Sequence, residues 1–524
     1  MSKKRIITAI LAGALLSASF TGCGEKETKV PEGSQTTFTY WCSMPAAIAS
    51  AYQNMGEMLM YQELEKRTGI HIQFMHPAVG QEAEQFNLLV ASREFPDMVE
   101  FDWVNYPGGG EKAVNDNVII KLNELIEKCA PNFNAAVTQN VDYARQSKTD
   151  EGTYFGFPSF NTGQYRIFGG PIIREDWLKE LNLEVPKTVE DWETVLRAFK
   201  EKKGATAPFT GDFSLFSPLS SVSMFNNAFG IGKGIYLDGD TIKYGPMEDS
   251  YKDWIALMHK WYAEGLLDND YGTQNMSAVD AKMLNGTAGA RFGNIGAAIG
   301  RYMDAKKGED SNYSIIAAPY PVDTKGNAAK YAAAGNEVMM PMIAVTTACK
   351  DAEGAVKWAD YFYSDEGRRL CGFGVEGVTY NMVDGHPVYT DLILKNPDGL
   401  SVNEAMTRNF RATAPTPGFN NDEDYLMQYY QFEQQKDGLN TWYPYTEEAK
   451  KHIIPLLSPQ TDESEELASL QTDISTFVEE SVLTFVQGTE PMEKFDAFKQ
   501  KLKSINVDRY IEIYQNSYNR YLAR

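Results

Sequence analysis

The side chains that most often do chemistry are few and poorly spaced in this chain. It holds five histidines in 524 residues. His71 and His76 are five apart in a stretch that alternates like a strand, so they face opposite sides and cannot share a metal. His259, beside Met258 on a helical stripe, reads as a packed residue. No HExxH, Walker A or GxSxG pattern occurs. Gly230, Gly232 and Gly234 lack the rest of a dinucleotide fingerprint and read as a turn. Asp422, Asp424 and Glu433 coincide with the first, third and twelfth places of a calcium loop. Leu426 and Met427 stand where that loop needs a ligand and a glycine, so an exposed acidic turn is the better reading. Cys42, Cys129, Cys349 and Cys371 make no CxxC pair and read as mostly buried free thiols. Neither a metal nor a cofactor is expected.

What the residue types do fit is sugar recognition. A sugar ring has an apolar C–H face and a rim of hydroxyls. Indole and phenol rings cover the face, while carboxylates and amides bind the hydroxyls in pairs. The chain is 12% aromatic, with 8 Trp and 29 Tyr, and carries 71 acidic residues. Most of these rings must be core, but the surplus fits a cleft that stacks on sugars. The net charge of −22 repels nucleic acid and anionic lipid. A secreted glycoside hydrolase is a rival reading. It requires two carboxylates about 5–5.5 Å or 6.5–9.5 Å apart, a pair that 71 acidic residues could supply. A binding protein for peptides or other small solutes is a third.

The first residues decide the compartment. Lys3, Lys4 and Arg5 precede an apolar run from Ile6 to Phe20, then Thr21-Gly22-Cys23. This is a secretory signal, and the run is shorter than the ~20 residues a membrane span needs. A small residue followed by Cys at the cut resembles the bacterial lipobox, with Phe20 where that motif usually has Leu. Residues 1–23 are therefore expected to be a lipoprotein signal peptide with a lipidated Cys23. Residues 24–35 are polar and aperiodic, as a flexible tether would be. The body should sit outside the cell membrane, held by the lipid alone.

The elements that would position a site alternate between strand and helix. Thr37–Met44 reads as a strand, Glu57–Arg67 as a helix closed by Gly69, and Ile70, Ile72 and Phe74 as one strand face. Asp97–Phe101 is another strand. Thr188 and Asp191 form a capping box ahead of a stripe of Val189, Trp192, Val195, Leu196 and Phe199. Tyr251, Trp254, Leu257, Met258 and Trp261 make a second stripe, and Val338–Thr346 an apolar strand. This pattern predicts an α/β protein.

Several segments then carry a resemblance together: "IIREDWLKELNLEV", "PKTVEDWETVLRAFKEK", "WYAEGLLDND", "MLNGTAGARFG", "AEGAVKWADYFYSDEGRRL" and "GVEGVTYNMVDGHPVYTD". In this order, behind such a leader, they resemble family 1 extracellular solute-binding lipoproteins of the LipO type, which deliver carbohydrates to ABC importers. The chain departs from the family after "AFKEKK", where Gly204–Pro208 replace the usual Asp-Pro. The resemblance implies a monomeric receptor, not an enzyme, that binds a carbohydrate and the importer's permease subunits. It implies a two-lobe periplasmic-binding-protein-like (type II) fold with an interlobe cleft and three hinge crossings. The N-terminal lobe is placed at 36–158 plus 316–374 and the C-terminal lobe at 159–315 plus 375–524. Ligand contacts are expected on loops after strands and at the crossings. These are Trp41, Asp102 and Trp103, then Asn161, Gln164, Tyr165 and Arg166. Arg291, Phe292 and Asn294 follow, then Asn336 and Glu337, with Trp442 in a loop Asn440–Pro444. Trp192, Trp254 and Trp358 are expected in the core.

Overall fold

The structure is a computed structural model that describes residues 36–323, 329–411, 417–420 and 423–524. The expected signal peptide, Cys23 and the tether lie outside these described residues. The strands are β1 Thr36–Trp41, β2 Ile70–Met75, β3 Met98–Phe101, β4 Phe157–Asn161, β5 Gly169–Arg174, β6 Ile235–Asp238 and β7 Thr241–Tyr244. They continue with β8 Ala290–Asn294, β9 Ile315–Ala317, β10 Val338–Val345, β11 Tyr380–Val383, β12 His386–Tyr389 and β13 Gly418–Asn420.

Two sheets organise two lobes. The first has six strands in the order β13-β4-β10-β3-β1-β2. Strand β1 is parallel to β2 and β3, and β13 is parallel to β4. Strand β10 is antiparallel to both β3 and β4. Five strands therefore end on one edge, the edge where β10 begins. The second sheet is β8-β5-β9, with β5 antiparallel to both neighbours. Strand β5 begins where β8 ends, so Gly169 lies opposite Asn294.

Helices form where the sequence signals them. Gly69 ends the helix Leu59–Thr68 with φ of 69°, a left-handed turn that glycine adopts without steric cost. Both bonds of the Thr188–Asp191 capping box are made, so Asp serves in place of the usual Glu. The helix they start, Val189–Lys203, buries Trp192, Val195, Leu196 and Phe199. Helix Asp249–Ala263 buries Tyr251, Trp254, Met258 and Trp261 beside it, in the core of the second lobe. Trp358 is buried in the core of the first. The long helix Thr461–Gln487 packs on Asp249–Ala263. The last helix, Val507–Ala523, sets Tyr510 against Tyr244 and then reaches the first lobe, where Arg520 and Arg524 pair with the buried Asp150.

The strand pairing moves the expected lobe boundaries. Residues 159–161 belong to β4 and the first sheet, and Ile315–Ala317 to the second. Residues 418–420 pair with β4 in the first sheet, beyond the 374 expected as the end of that lobe. Helix Val402–Phe410 packs on helices Ala46–Ala49 and Leu59–Thr68, and β13 pairs with β4. A buried ion pair adds to this hold on the segment. Arg411 donates to Glu100 Oε1 at 3.1 Å and to Tyr61 Oη at 2.9 Å, while Tyr40 donates to Glu100 Oε2 at 2.5 Å. Two cationic and anionic partners some 300 residues apart are invisible to local periodicity.

Candidate functional site: the edge between the two sheets

The shared edge of the first sheet gathers Trp41, Met75, Phe101, Asn161 and Asn420 at strand ends, with Glu337 just before β10. The facing edge of the second sheet presents Gly169 and Asn294. Residues 162–168 and, among the described residues, 318–323 and 329–337 lie between the two edges. In open α/β sheets this region, beyond the carboxyl ends of the strands, is where ligands bind.

Asp102 follows β3. Its Oδ2 accepts from Asn105 Nδ2 at 2.9 Å and the Val104 backbone N–H stands by the carboxylate, while Oδ1 is out of contact with solvent and has no hydrogen-bond partner among the described residues. Burial raises its pKa above the ordinary carboxylate range. Such an oxygen is an acceptor waiting for a donor.

Asn161, Arg166 and Glu337 come together at the crossings. The Asn161 backbone N–H donates to Glu337 O at 2.9 Å, and Gly335 N–H donates to Arg166 O at 2.9 Å. Arg166, 6% exposed, gives Nη2 to Glu337 Oε2 at 2.6 Å. Lys450 approaches the other carboxylate oxygen at 3.7 Å. Among the described residues Arg166 Nε and Nη1 are buried without a hydrogen-bond partner, with the Tyr143 hydroxyl standing beside the guanidinium. Two unpaired guanidinium donors inside a protein are costly, and a hydroxyl-rich ligand would satisfy them. Asn336 beside them is half-buried.

On the second lobe, Phe292 and Asn294 share one face of β8, and Asn294 is exposed. Gly169 makes room for them: a Cβ there would sit 3.0 Å from the Phe292 ring. The next residue, Gly170, faces the other way, where a Cβ would lie 2.6 Å from Trp442. Two adjacent glycines thus serve opposite faces of one strand.

Four expected contacts have other duties. Trp442 ends helix Glu433–Trp442 instead of lying in a loop, is fully buried, and donates Nε1–H to Ala318 O at 2.9 Å. Arg291 is buried and committed to Asp280 Oδ1 at 2.7 Å and Tyr302 Oη at 2.6 Å. Trp103 is 0% exposed, donates to Val99 O at 3.3 Å, and packs edge-on against Phe86 at 5.4 Å. Trp41 is buried in the same aromatic group, 6.1 Å from Phe86. Both tryptophans follow strands, which is where contacts were expected, but their rings turn beneath the edge. Trp103→Ala is therefore expected to cost about 3–5 kcal/mol of stability through the cavity it leaves. Urea unfolding measures this, and a change below about 1 kcal/mol would show that the ring is not a core anchor.

Gln164 is exposed and Tyr165 half-buried. The Tyr165 ring meets Tyr443 edge-on at 5.5 Å. Beside them Thr162, Gly163, Arg368, Glu423 and Asp424 line an open polar depression of about 320 Å³. Tyr443, Arg368 and Glu423 were missed by sequence reasoning. The signal for Tyr443 was one residue away, in the same Trp442–Pro444 segment.

No helix among the described residues is long and apolar enough to cross a membrane. Two sheet-centred lobes with a polar, aromatic edge between them define a solute-binding architecture. Residues 50–369, over half the chain, match the family described as bacterial extracellular solute-binding protein, and the chain belongs to that family. It is 25% identical over 341 residues to the fructooligosaccharide ABC transporter substrate-binding protein FusA of Streptococcus pneumoniae. That match covers 61% of this chain and 60% of FusA. It is 24% identical over 422 residues to lipoprotein LipO of Bacillus subtilis, covering 76% of this chain and 78% of LipO. Its fold matches the crystal structure of the alginate-binding protein AlgQ2 with a TM-score of 0.73 at 22% identity, covering 94% of this chain and all of AlgQ2.

Proposed function

We propose that this protein is a lipid-anchored extracellular receptor that captures a carbohydrate between its lobes, unaltered, and delivers it to an ABC importer. The observation that carries the reading is the set of buried hydrogen-bonding atoms at the interlobe edge that lack a partner among the described residues, Asp102 Oδ1 and Arg166 Nε and Nη1. A polyhydroxylated ligand offers donors to the first and acceptors to the second. Asn161, Asn336 and Glu337 stand at the same crossings, Gln164 and Tyr165 flank them, and Phe292 and Asn294 face them from the second sheet. The names of FusA and AlgQ2, a fructooligosaccharide receptor and an alginate-binding protein, support a saccharide. The name of LipO supports anchoring through Cys23. Hinge closure of two lobes over ligand is the established motion of this architecture.

A thermal-shift screen against mono- and oligosaccharides tests it. A bound sugar stabilises the fold by ~2.7 kcal/mol at a hundredfold excess over Kd. Asp102→Asn, which keeps the shape and changes the charge, is expected to weaken that sugar at least about tenfold by calorimetry, a loss of ~1.4 kcal/mol. A screen in which no sugar shifts the transition, or a sugar recovered hydrolysed, would overturn the reading.

A further inference from the structure

We infer that Tyr443 and Tyr165, with the depression beside them, form an outer subsite that binds a second part of the ligand and makes affinity depend on saccharide length. This rests on the carbohydrate reading above and deepens it.

Tyr443 is 45% exposed, which is unusual for so large a ring in a well-packed lobe. It is also held rigidly. The preceding Trp442 is pinned to Ala318 O. Two residues on, Tyr445 packs edge-on against Tyr320 at 5.4 Å. Tyr320 donates to Gly169 O at 2.5 Å and accepts from Ala333 N–H at 3.0 Å. Pro444 stiffens the turn between them. An exposed ring on a fixed mount loses little entropy when something stacks on it. Tyr165 supplies the second ring, and burial together with Glu423 and Tyr443 raises its pKa, so its hydroxyl stays protonated and can donate.

Position separates this subsite from Asp102. Thr162 and Gly163 follow β4, whereas Asp102 follows β3, and β10 lies between the two strands. Two inter-strand spacings are about 10 Å, wider than one pyranose ring. A ligand that reaches both Asp102 and the tyrosine pair must therefore have more than one sugar residue. At the depression, Glu423 offers acceptors to the hydroxyl rim of the outer residue.

The test is calorimetry of the full chain and of Tyr443→Ala and Tyr443→Phe with fructo-, gluco- and mannooligosaccharide ladders from mono- to pentasaccharide. For the ladder that binds, wild type should gain affinity with length. Tyr443→Ala should lose roughly 5- to 20-fold on the longer members and under about 2-fold on the shortest. Tyr443→Phe, which keeps the ring, should stay near wild type. An equal loss at every length, or none, overturns the subsite and leaves the carbohydrate reading intact. If no ladder binds the wild-type chain, the carbohydrate reading falls and the subsite with it.

Discussion

Arg411→Met is expected to cost about 3–5 kcal/mol of stability. The guanidinium and the Glu100 carboxylate are both 3% exposed as side chains, so water replaces neither partner. Removing Arg411 leaves Glu100 charged in the core, with the Tyr40 hydroxyl as its remaining hydrogen bond among the described residues. Desolvation of an unpaired carboxylate dominates the loss, and the vacated hydrogen bond to Tyr61 adds to it. The double variant Arg411→Met with Glu100→Leu should recover much of the loss, because an apolar pair needs no compensation. Urea unfolding of the three proteins decides it. Additive losses in the double variant would show that the two residues do not act as a pair. The same experiment reports on how the segment after 374 is held, since Arg411 fastens it alongside the β13–β4 pairing.

The second large effect is a gain. Lys233 is 5% exposed and donates from Nζ to Ser214 O at 2.6 Å. Burial pushes its pKa down to about 7, an effect that Asp212 and Glu479 only partly oppose. In the unfolded chain a lysine keeps its proton up to about pH 10.4. Between these two values the unfolded chain binds more protons than the folded one, so stability rises with pH across that window. Below pH ~7 both states are protonated and the full cost of burying the ammonium stands. Lys233→Met, which keeps the stem and removes the charge, should therefore stabilise the protein by a few kcal/mol, on the order of what the shift represents, near pH ~6. The gain should shrink towards pH ~10. Unfolding at both pH values checks it, and a pH-independent difference would show that the charge is not what the site resists.

Much of the fold was legible because its signals are local. The capping box at Thr188, the glycine stop at Gly69 and the separate stripes holding Trp192 and Trp254 each act within one helix or turn. The site was legible in outline only. Asp102, Asn161, Arg166, Asn294 and Glu337 do fall at the edges and crossings where strand ends and loops place them. Trp41 and Trp103 also follow strands, but which way a ring turns at a strand end depends on Phe86, from a separate helix. Arg291 was lost to Asp280 and Tyr302. Sequence spacing does not reveal that a cation is already spoken for. The pairing of residues 418–420 with β4 was not foreseen for a related reason, because it joins residues far apart in the chain.

The paired glycines of β5 have one more implication. Side chains alternate along a strand, so sliding β5 by one place would bring Pro171 to the position that Gly170 occupies against Trp442. The indole would then meet a ring where it now meets bare backbone. Loop growth between Asn161 and Gly169 is harmless only if it is absorbed before Gly169. Natural or engineered variation in how far apart the lobes sit should thus be written into that connector, never into the strand that follows.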